Sequence, residues 1–577
     1  MKKKLRSNLV LIIQILFMLF VSVAMLLLEH PNKLNINGFA FLAWFVYIPL
    51  LFLIKKISLK ITPLAGAIYG FLYGYFFYNW LKNYDSYGIY AITIYFVLVM
   101  CIFFLALKLV DILFANYSWL IHWVLISAFE YILTKGFMGL GFGVTAYTQF
   151  RKLALIQSCS AIGVFGLNAL IIFNSCCLFA FFSKLIERRM IIYKRETDVE
   201  FYECNTHINY VSKYDKQLKM VSLKIPAISF AVFAVFLITD LIYGKIALKK
   251  DYQYNKQIKI AAIQGNEDPF LEGIDVYAKN VQILMAQTDY VLDTNPDVDI
   301  IVWPETAVVP SIVYQYNSKR DVNRYKLAKT LLDFINSRNA LFVIGNGHRE
   351  VDKNYSNKKE YNSALVFEPR VNVLPPEPYI YSKNHLVPFS EYFPYERFFP
   401  HFYKFLLKIE PNMWTPGEEI NVFEYKDLVF ATPICFEDNF SDIGRKMYKA
   451  GARAFINLTN DSWSKSLVCQ YEHLSMAVFR SVENKIPTVR STTSGQTCVI
   501  SPNGEITKMA QPFIQSYIVD KIPVIEKDRK ETIYTKIGDI FGYSFVFIFF
   551  FLLLLKIIFV IIKKAKNKWQ VRNGRAA

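Results

Sequence analysis

Residues 428–438 read Leu-Val-Phe-Ala-Thr-Pro-Ile-Cys-Phe-Glu-Asp. A run of apolar residues with strand character breaks at a Thr-Pro pair, and a cysteine and two carboxylates follow within a few positions. The same grammar recurs on both sides: IKIAAIQGN (258–266), DIIVWPET (299–306), ALFVIGNGH (340–348), NSALVFEP (362–369), ARAFINLTND (452–461) and TCVISPNGEI (497–506). Each is rich in β-branched and apolar side chains, and many end in turn formers. Helical runs lie between them around 277–293, 321–337 and 470–485, and Asn503-Gly504 is a hairpin turn signal. The segment 245–537 is therefore expected to be a mixed α/β domain with a large core.

Outside that segment the chain changes character. It has 577 residues, of which 54% are hydrophobic, 16% aromatic and only 19% charged, a more apolar balance than a soluble domain carries. Eight apolar stretches approach membrane-spanning length, near 9–28, 38–54, 61–80, 87–107, 118–134, 153–183, 225–243 and 541–562. Seven of them fall within 1–244, and the eighth, with a basic tail, within 538–577. The first is too long for a signal-peptide core and no small-residue cleavage site follows it, so it is expected to remain as an anchor.

The formal net charge of +18 raises nucleic acid as a partner, but no nucleic-acid motif accompanies it. Its lysines and arginines instead gather beside apolar runs: Lys2, Lys3, Lys4 and Arg6, then Lys55, Lys56 and Lys60, then Lys184, Arg188, Arg189, Lys194 and Arg195, then Lys563, Lys564, Lys566 and Lys568. Positive flanks stay in the cytoplasm. On that rule the polar stretch near 185–224 is a cytoplasmic loop and 245–537 faces the other side. The eight cysteines show no metal-ligand spacing and no disulfide framework.

Three places put a reactive side chain at the end of a strand-like run or in a loop: Glu305 in VWPET, Lys383 in YSKNHLVPFSEYFP and Cys435 in TPICFED. Taken singly each has an ordinary explanation, as a solvated surface charge or a buried thiol. Together they supply what thiol-based acyl transfer needs. A thiolate attacks, a carboxylate takes and returns the proton, and a cation lowers the thiol pKa and holds the oxyanion.

WPE, then K-x-HLVPFxEY, then ICFED resembles the Glu-Lys-Cys signature of the nitrilase superfamily. The longer context resembles its membrane branch, the apolipoprotein N-acyltransferases. HLVPFSEYFP is similar to that branch's HLVPFGEYVP, and NLTNDSWSKS, with Trp463, to its N-x-T-N-D-x-W-F-G element. The tract from Gln470 to Gly504, with Arg480, Glu483, Pro487, Arg490 and Gly495, and the opening IQGN fit as well. The resemblance implies a helical transmembrane bundle carrying an extracytoplasmic αββα sandwich. It implies Glu305 as general base and acid, Lys383 as oxyanion cation and Cys435 as nucleophile. Glu391 matches a second family carboxylate, Glu437 an acid after the nucleophile, and Asn362 a YN(S/T) asparagine. Phe436 stands where the family usually has tyrosine, so any role of that hydroxyl is absent or filled otherwise. Glu130, in the fifth apolar stretch, matches a membrane glutamate of unknown partner.

The resemblance further implies a phospholipid acyl donor, a diacylglyceryl-modified apolipoprotein as acceptor, no metal and no organic cofactor, in the inner membrane of a two-membraned bacterium. A membrane-anchored amidase or nitrile hydrolase using the same three residues is the alternative; a non-catalytic lipoprotein binder would be expected to have lost one of them. Finally, 393–414 packs Tyr395, Phe398, Phe399, Phe402, Tyr403, Phe405, Leu406 and Leu407 into one short stretch. Such density suits a lid dipping into the bilayer interface, or packing against the domain core.

Overall fold

The computed structural model describes residues 2–84, 87–199, 214–218, 221–249, 256–351, 358–409 and 413–573. Parts of the expected cytoplasmic loop (200–213 and 219–220), the start of the outer segment (250–255) and three residues of the aromatic stretch (410–412) lie outside the described residues.

The first half is helical. Helix α1 covers Lys2–Glu29, α2 Tyr47–Lys56, α3 Thr62–Phe77, α4 Gly88–Phe114, α5 Ser118–Leu133, α6 Cys159–Val199 and α7 Lys224–Lys249. On α4 the buried side chains Ile89, Ile92, Phe96, Met100, Phe103, Leu107 and Val110 recur every three or four residues, the stripe of a helix face. Its opposite face shows Tyr90, Ile94, Leu98 and Ile102, each at least 60% exposed and just as apolar. A helix apolar all round belongs in lipid. Helices α3 and α4 touch backbone to backbone, since a Cβ at Gly70 would lie 2.3 Å from the Phe96 carbonyl oxygen. Glu130 has partners here: its carboxylate accepts hydrogen bonds from the Thr145 N–H (2.9 Å) and hydroxyl (2.8 Å), from Asn168 (3.0 Å) and from the Tyr47 hydroxyl. The sixth apolar stretch is not one helix. It starts as a short turn at Leu153–Ile156, breaks again at Gly163 (φ 65°) and then runs past the apolar residues to Val199.

The second half is a two-sheet sandwich. One sheet holds β1 (Gln257–Gln264), β2 (Ile300–Val308), β3 (Leu341–Val351), β4 (Lys358–Phe367), β5 (Tyr379–Ser382) and, on its other edge, β12 (Ser516–Pro523), in the order 12-1-2-3-4-5. The second holds β6 (Phe423–Tyr425), β7 (Leu428–Ala431), β8 (Ala454–Thr459), β9 (Thr488–Thr492), β10 (Cys498–Ile500) and β11 (Ile506–Met509), in the order 11-10-9-8-7-6. At the centre of each, β1-β2-β3 and β7-β8-β9 are parallel. Ile258, Ile260, Ile300, Val302 and Val343 meet Phe430, Phe455, Val489 and Val499 between the sheets. Helices α8 (Ile274–Thr294) and α9 (Val322–Asn336) cover the outside of the first sheet through Leu284, Val291, Leu331 and Ile335.

Two further helices of the sandwich come next, α10 (Pro400–Ile409) and α11 (Ser441–Lys449). Helix α12 (Leu467–Asn484) then covers the second sheet and is buried on its far side too. There Leu474, Ala477, Val478 and Val482 pack with Tyr147, Phe150, Ile156 and Leu167 of the helical half. The chain closes with α13 (Ile540–Asn573), which lies against α5 through Tyr131–Tyr543 and Trp123–Phe545, with Lys135 paired to Asp539 at 2.9 Å. Among the described residues, five helical stretches are long and apolar enough to cross a membrane: Leu9–Glu29, Gly88–Leu133 (α4 and α5 together), Cys159–Arg195, Lys224–Lys249 and Ile540–Asn567. The short members of the bundle are α2, with 10 residues, and α3, with 16.

Candidate active site

Glu305 owes its position to a proline. Pairing of β2 with β3 runs in register to Trp303–Ile344 and resumes only at Val308–Asn346. Pro304 has no N–H for the ladder, so the strand bulges there and Thr306 turns to φ 47°. The bulge presses onto β3 at Gly345, where a Cβ would meet the Pro304 carbonyl oxygen at 2.2 Å. The displaced Glu305 carboxylate accepts hydrogen bonds from Asn362 Nδ2 (2.8 Å), the Asn460 N–H (2.8 Å) and Lys383 Nζ (3.2 Å).

Lys383 follows β5, and its N–H donates to the Asn362 carbonyl at 2.8 Å, which ties the strand end to β4. Its ammonium is fully buried between Glu305 and Glu391, the latter at 2.9 Å. Glu391 is held in turn by the Val387 N–H at 2.8 Å. Burial alone would lower the lysine, but the two carboxylates outweigh it and hold Lys383 above its ordinary value, firmly charged.

Cys435 sits just past β7, where Ile434 bridges to Leu458 and the chain turns into a short 3-10 helix, Cys435–Asn439. The cysteine takes a left-handed backbone (φ 47°), an unusual conformation for a side-chain-bearing residue and one that turns it out of the strand path. Glu437 fixes that turn. Its carboxylate accepts from the Ile434, Asn384 and His385 N–H groups (2.8, 2.8 and 3.1 Å) and from the Tyr381 hydroxyl (2.8 Å). It thus clamps the loop after Lys383 to the cysteine turn. Phe436 is buried edge-to-face on Phe440, which in turn lies 4.2 Å from the His385 ring.

The Cys435 thiol stands in the field of Glu305, Lys383, Asp461 and Glu391. The sequence leads one to expect Lys383 to lower it. Instead burial, then Glu305, push the thiol well above its ordinary value, and Lys383 only moderates the rise. The resting proton therefore belongs on sulfur.

A second charged group beside the thiol was not singled out from sequence. Cys435 Sγ, an Asp461 oxygen and a His473 ring nitrogen lie within 4.8 Å of one another. His473 Nδ1 faces Asp461 at 2.9 Å, and Nε2 faces the Cys435 carbonyl at 3.1 Å. Both partners accept, so both bonds form together only if the ring carries two protons or Asp461 carries one. Arg490, buried on β9, pairs with Asp438 and lies 3.6 Å from Asp461. The ND of NLTND and the His473 of QYEH were the signals that could have found this pair. Trp463, by contrast, is not among these groups. It packs on Trp80 (5.4 Å) and Tyr84 (5.5 Å) of the helical half.

In the aromatic stretch Phe393 and Leu406 are buried, while Phe398 is 79% and Phe399 59% exposed. Phe389, Phe393 and Tyr395 surround Phe137, and Phe405 meets Tyr87, both from the helical half. The stretch is thus partly core and partly an open apolar surface.

A two-sheet sandwich with a carboxylate, a buried ammonium and a turned-out thiol at the ends of its strands defines a carbon–nitrogen hydrolase domain, and residues 259–527 match the family model of that description. Residues 22–177 match the apolipoprotein N-acyltransferase N-terminal domain. The chain is 37% identical to apolipoprotein N-acyltransferase 1 of Treponema denticola over 94% of its own length and 96% of the relative's. Against the protein of the same name in Treponema pallidum the identity is 36%, over 88% and 90%. The apolipoprotein N-acyltransferase of Borreliella burgdorferi is 27% identical over 90% and 91%. The chain belongs to the apolipoprotein N-acyltransferase family.

Proposed function

We propose that this enzyme moves an acyl chain from a membrane phospholipid, through a thioester on Cys435, to the α-amine of an apolipoprotein's N-terminal diacylglyceryl-cysteine. The observation that carries the reading is the Lys383 ammonium held between Glu305 and Glu391 beside the Cys435 thiol, on a domain seated against lipid-facing helices. In the first half-reaction Glu305 takes the thiol proton as sulfur attacks the ester carbonyl. The tetrahedral oxyanion is neutralised by Lys383, already charged and already desolvated. Collapse breaks the ester C–O bond, Glu305 returns its proton to the departing oxygen, and a lysophospholipid leaves. In the second half the amine attacks the thioester, Glu305 takes the ammonium proton, and sulfur leaves and is reprotonated. Glu391, Asn362 and Glu437 position these groups, and Phe436 packs on Phe440 behind the cysteine turn.

In this reading the chain crosses the inner membrane eight times, with both termini and the 185–224 loop in the cytoplasm and 245–537 in the periplasm. The basic flanks of the apolar runs support that orientation. The open face around Phe398 and Phe399 suits contact with the bilayer interface.

Mass spectrometry of the full-length protein incubated with phospholipid and no acceptor tests the proposal. The expected product is a hydroxylamine-labile acyl adduct on Cys435, discharged by a diacylglyceryl-cysteinyl peptide to an N-acyl peptide. Discharge to free fatty acid alone would instead favour the hydrolase, and an adduct on another residue would overturn the site.

A further inference from the structure

Cys435 carries its sulfur on a left-handed backbone (φ 47°), a conformation that persists only where its surroundings over-determine it. The Glu437 carboxylate holds one side of that turn through the Ile434 N–H, at 2.8 Å. On the other side His473 Nε2 faces the Cys435 carbonyl at 3.1 Å, and no task falls to it in the acyl-transfer steps above. We propose, on the basis of that thioester chemistry, that His473 is a positioning residue for the nucleophile: its Nε2–H pins the Cys435 carbonyl, and Asp461 on Nδ1 fixes the ring for that contact.

The three groups come from separate parts of the sandwich. Cys435 follows β7, Asp461 follows β8 and His473 stands on α12. His473 is 3% exposed and Asp461 1%, so water does not compete for their 2.9 Å contact. Phe142 of the helical half lies 6.3 Å from the His473 ring, centroid to centroid, and backs it from the side of the bundle. The peptide group joining Cys435 to Phe436 is rigid and turns as one unit. A donor on its carbonyl therefore fixes ψ at Cys435. Without that donor the turn loses one of its two restraints, and the Cα–Cβ bond that aims the sulfur is free to swing.

The charges around the thiol point the same way. It is faced by Glu305 from β2, Lys383 from the end of β5, Glu391 from the loop beyond, Asp461 from the end of β8 and Arg490 from β9. Of these, Asp461 helps to push the thiol up. A carboxylate that opposes thiolate formation is a poor neighbour for a nucleophile unless it has another task, and orienting His473 is that task. His473 is faced in turn by Asp461 and, at 4.0 Å, by Asp438, whose own partner is Arg490. Cys435 Sγ, an Asp461 oxygen and a ring nitrogen lie within 4.8 Å of one another, as metal ligands also do. Both ring nitrogens already face oxygen partners, however, so the three form a hydrogen-bonded chain and not a ligand set.

Two near-isosteric substitutions separate the two ring nitrogens. His473→Gln can keep a donor at the Nε2 position, whereas His473→Asn can keep a group facing Asp461 but does not reach the carbonyl. With full-length enzyme, phospholipid and no acceptor, formation of the Cys435 adduct should fall about ten- to hundredfold in His473→Asn, the worth of one buried hydrogen bond. In His473→Gln the loss should stay below about tenfold. Equal losses would overturn the carbonyl contact and leave His473 as packing. Asp461→Asn removes the charge while its amide can donate to Nδ1, and it covers the case in which the His473 variants do not fold. The pH midpoint of Cys435 alkylation by iodoacetamide should fall in that variant, and an unchanged or raised midpoint would overturn the role given to Asp461. Alkylation needs neither lipid nor thioester. Absence of any adduct in the wild type would thus count against the acyl-transfer reading, while alkylation well above the midpoint still decides the placement of the sulfur. His473→Asn should there be slower than His473→Gln, and equal rates would overturn the positioning role.

Discussion

Replacing Glu305 by Gln should make Cys435 more reactive toward a small electrophile and less able to form the thioester. The carboxylate raises the thiol, because a neighbouring negative charge disfavours the thiolate. Its removal should lower the thiol pKa. Well below the pKa the thiolate population then grows about 10-fold per unit, while intrinsic nucleophilicity falls with a Brønsted slope of about 0.4–0.5. The net gain in iodoacetamide alkylation at neutral pH is about 3- to 4-fold for each unit by which the thiol pKa falls. Thioester formation should fall about 10²- to 10⁴-fold, because nothing takes the thiol proton or returns one to the lysophospholipid oxygen. All three partners of Glu305, the Asn362 amide, the Asn460 N–H and the Lys383 ammonium, are donors. A glutamine amide must therefore turn its own donor toward one of them, a local cost of about 1–3 kcal/mol. The assay is a pH series of alkylation rates at Cys435, set beside acyl-adduct formation from phospholipid. An alkylation midpoint that rises or stays put in Glu305→Gln would refute the assigned electrostatics. Adduct formation at the wild-type rate would refute the assigned base.

Lys383→Met should abolish detectable acyl adduct, with a loss of about 10²–10³ or more from the missing oxyanion cation, and should raise the alkylation midpoint of Cys435; a lowered midpoint would contradict the charge order in the site. Glu437→Ala leaves three backbone N–H groups and the Tyr381 hydroxyl without their acceptor. At about 1–3 kcal/mol for each buried orphan it should lower the thermal midpoint measurably and slow both half-reactions; an unchanged melting curve would show that the clamp carries no load. Phe398→Ser with Phe399→Ser should reduce turnover of bilayer phospholipid while sparing Cys435 alkylation, and equal losses in both assays would favour a packing role. A reporter active only outside the cytoplasm should be active when fused near Lys250 and silent near Lys213; the reverse pattern would invert the proposed topology.

The outer domain's apolar strands were legible because their residues face covered surfaces on both sides. β1, β2, β3, β4, β7, β8 and β10 all announce themselves as apolar runs. The edge strands and β9 were not. β9 is Thr-Val-Arg-Ser-Thr, wholly buried yet mostly polar, because Arg490 meets Asp438 and Asp461 in the interior. A periodicity of apolar side chains cannot register a strand whose inward charge is satisfied by a partner 52 residues away. β5 is four residues between a proline-rich turn and Lys383, too short to stand out. At the site, Glu305, Lys383 and Cys435 were legible from motifs, and the structure gathers their side chains with those of Asn362 and Glu391. The state of the thiol was not. A lysine is visible in a sequence, but the sum of burial, two glutamates and an aspartate acting on the same sulfur is not. The pairing of His473 with Asp461 was hidden for the same reason, since it joins a strand end to the next helix and both to a turn that lies far earlier in the chain.

Helix α12 is buried on both faces, one against the second sheet and one against the helical half. The sandwich therefore has no solvent-ready exterior on that side. A fragment cut at residue 256 would bare Leu474, Val478 and Val482 to water and would be expected to precipitate rather than stand as a soluble enzyme. The same helix carries His473, which touches the Cys435 carbonyl. Detergents or lipids that loosen the bundle should thus register at the nucleophile across the width of a single helix, so a change in the alkylation rate of Cys435 becomes a gauge of how well the membrane half is packed.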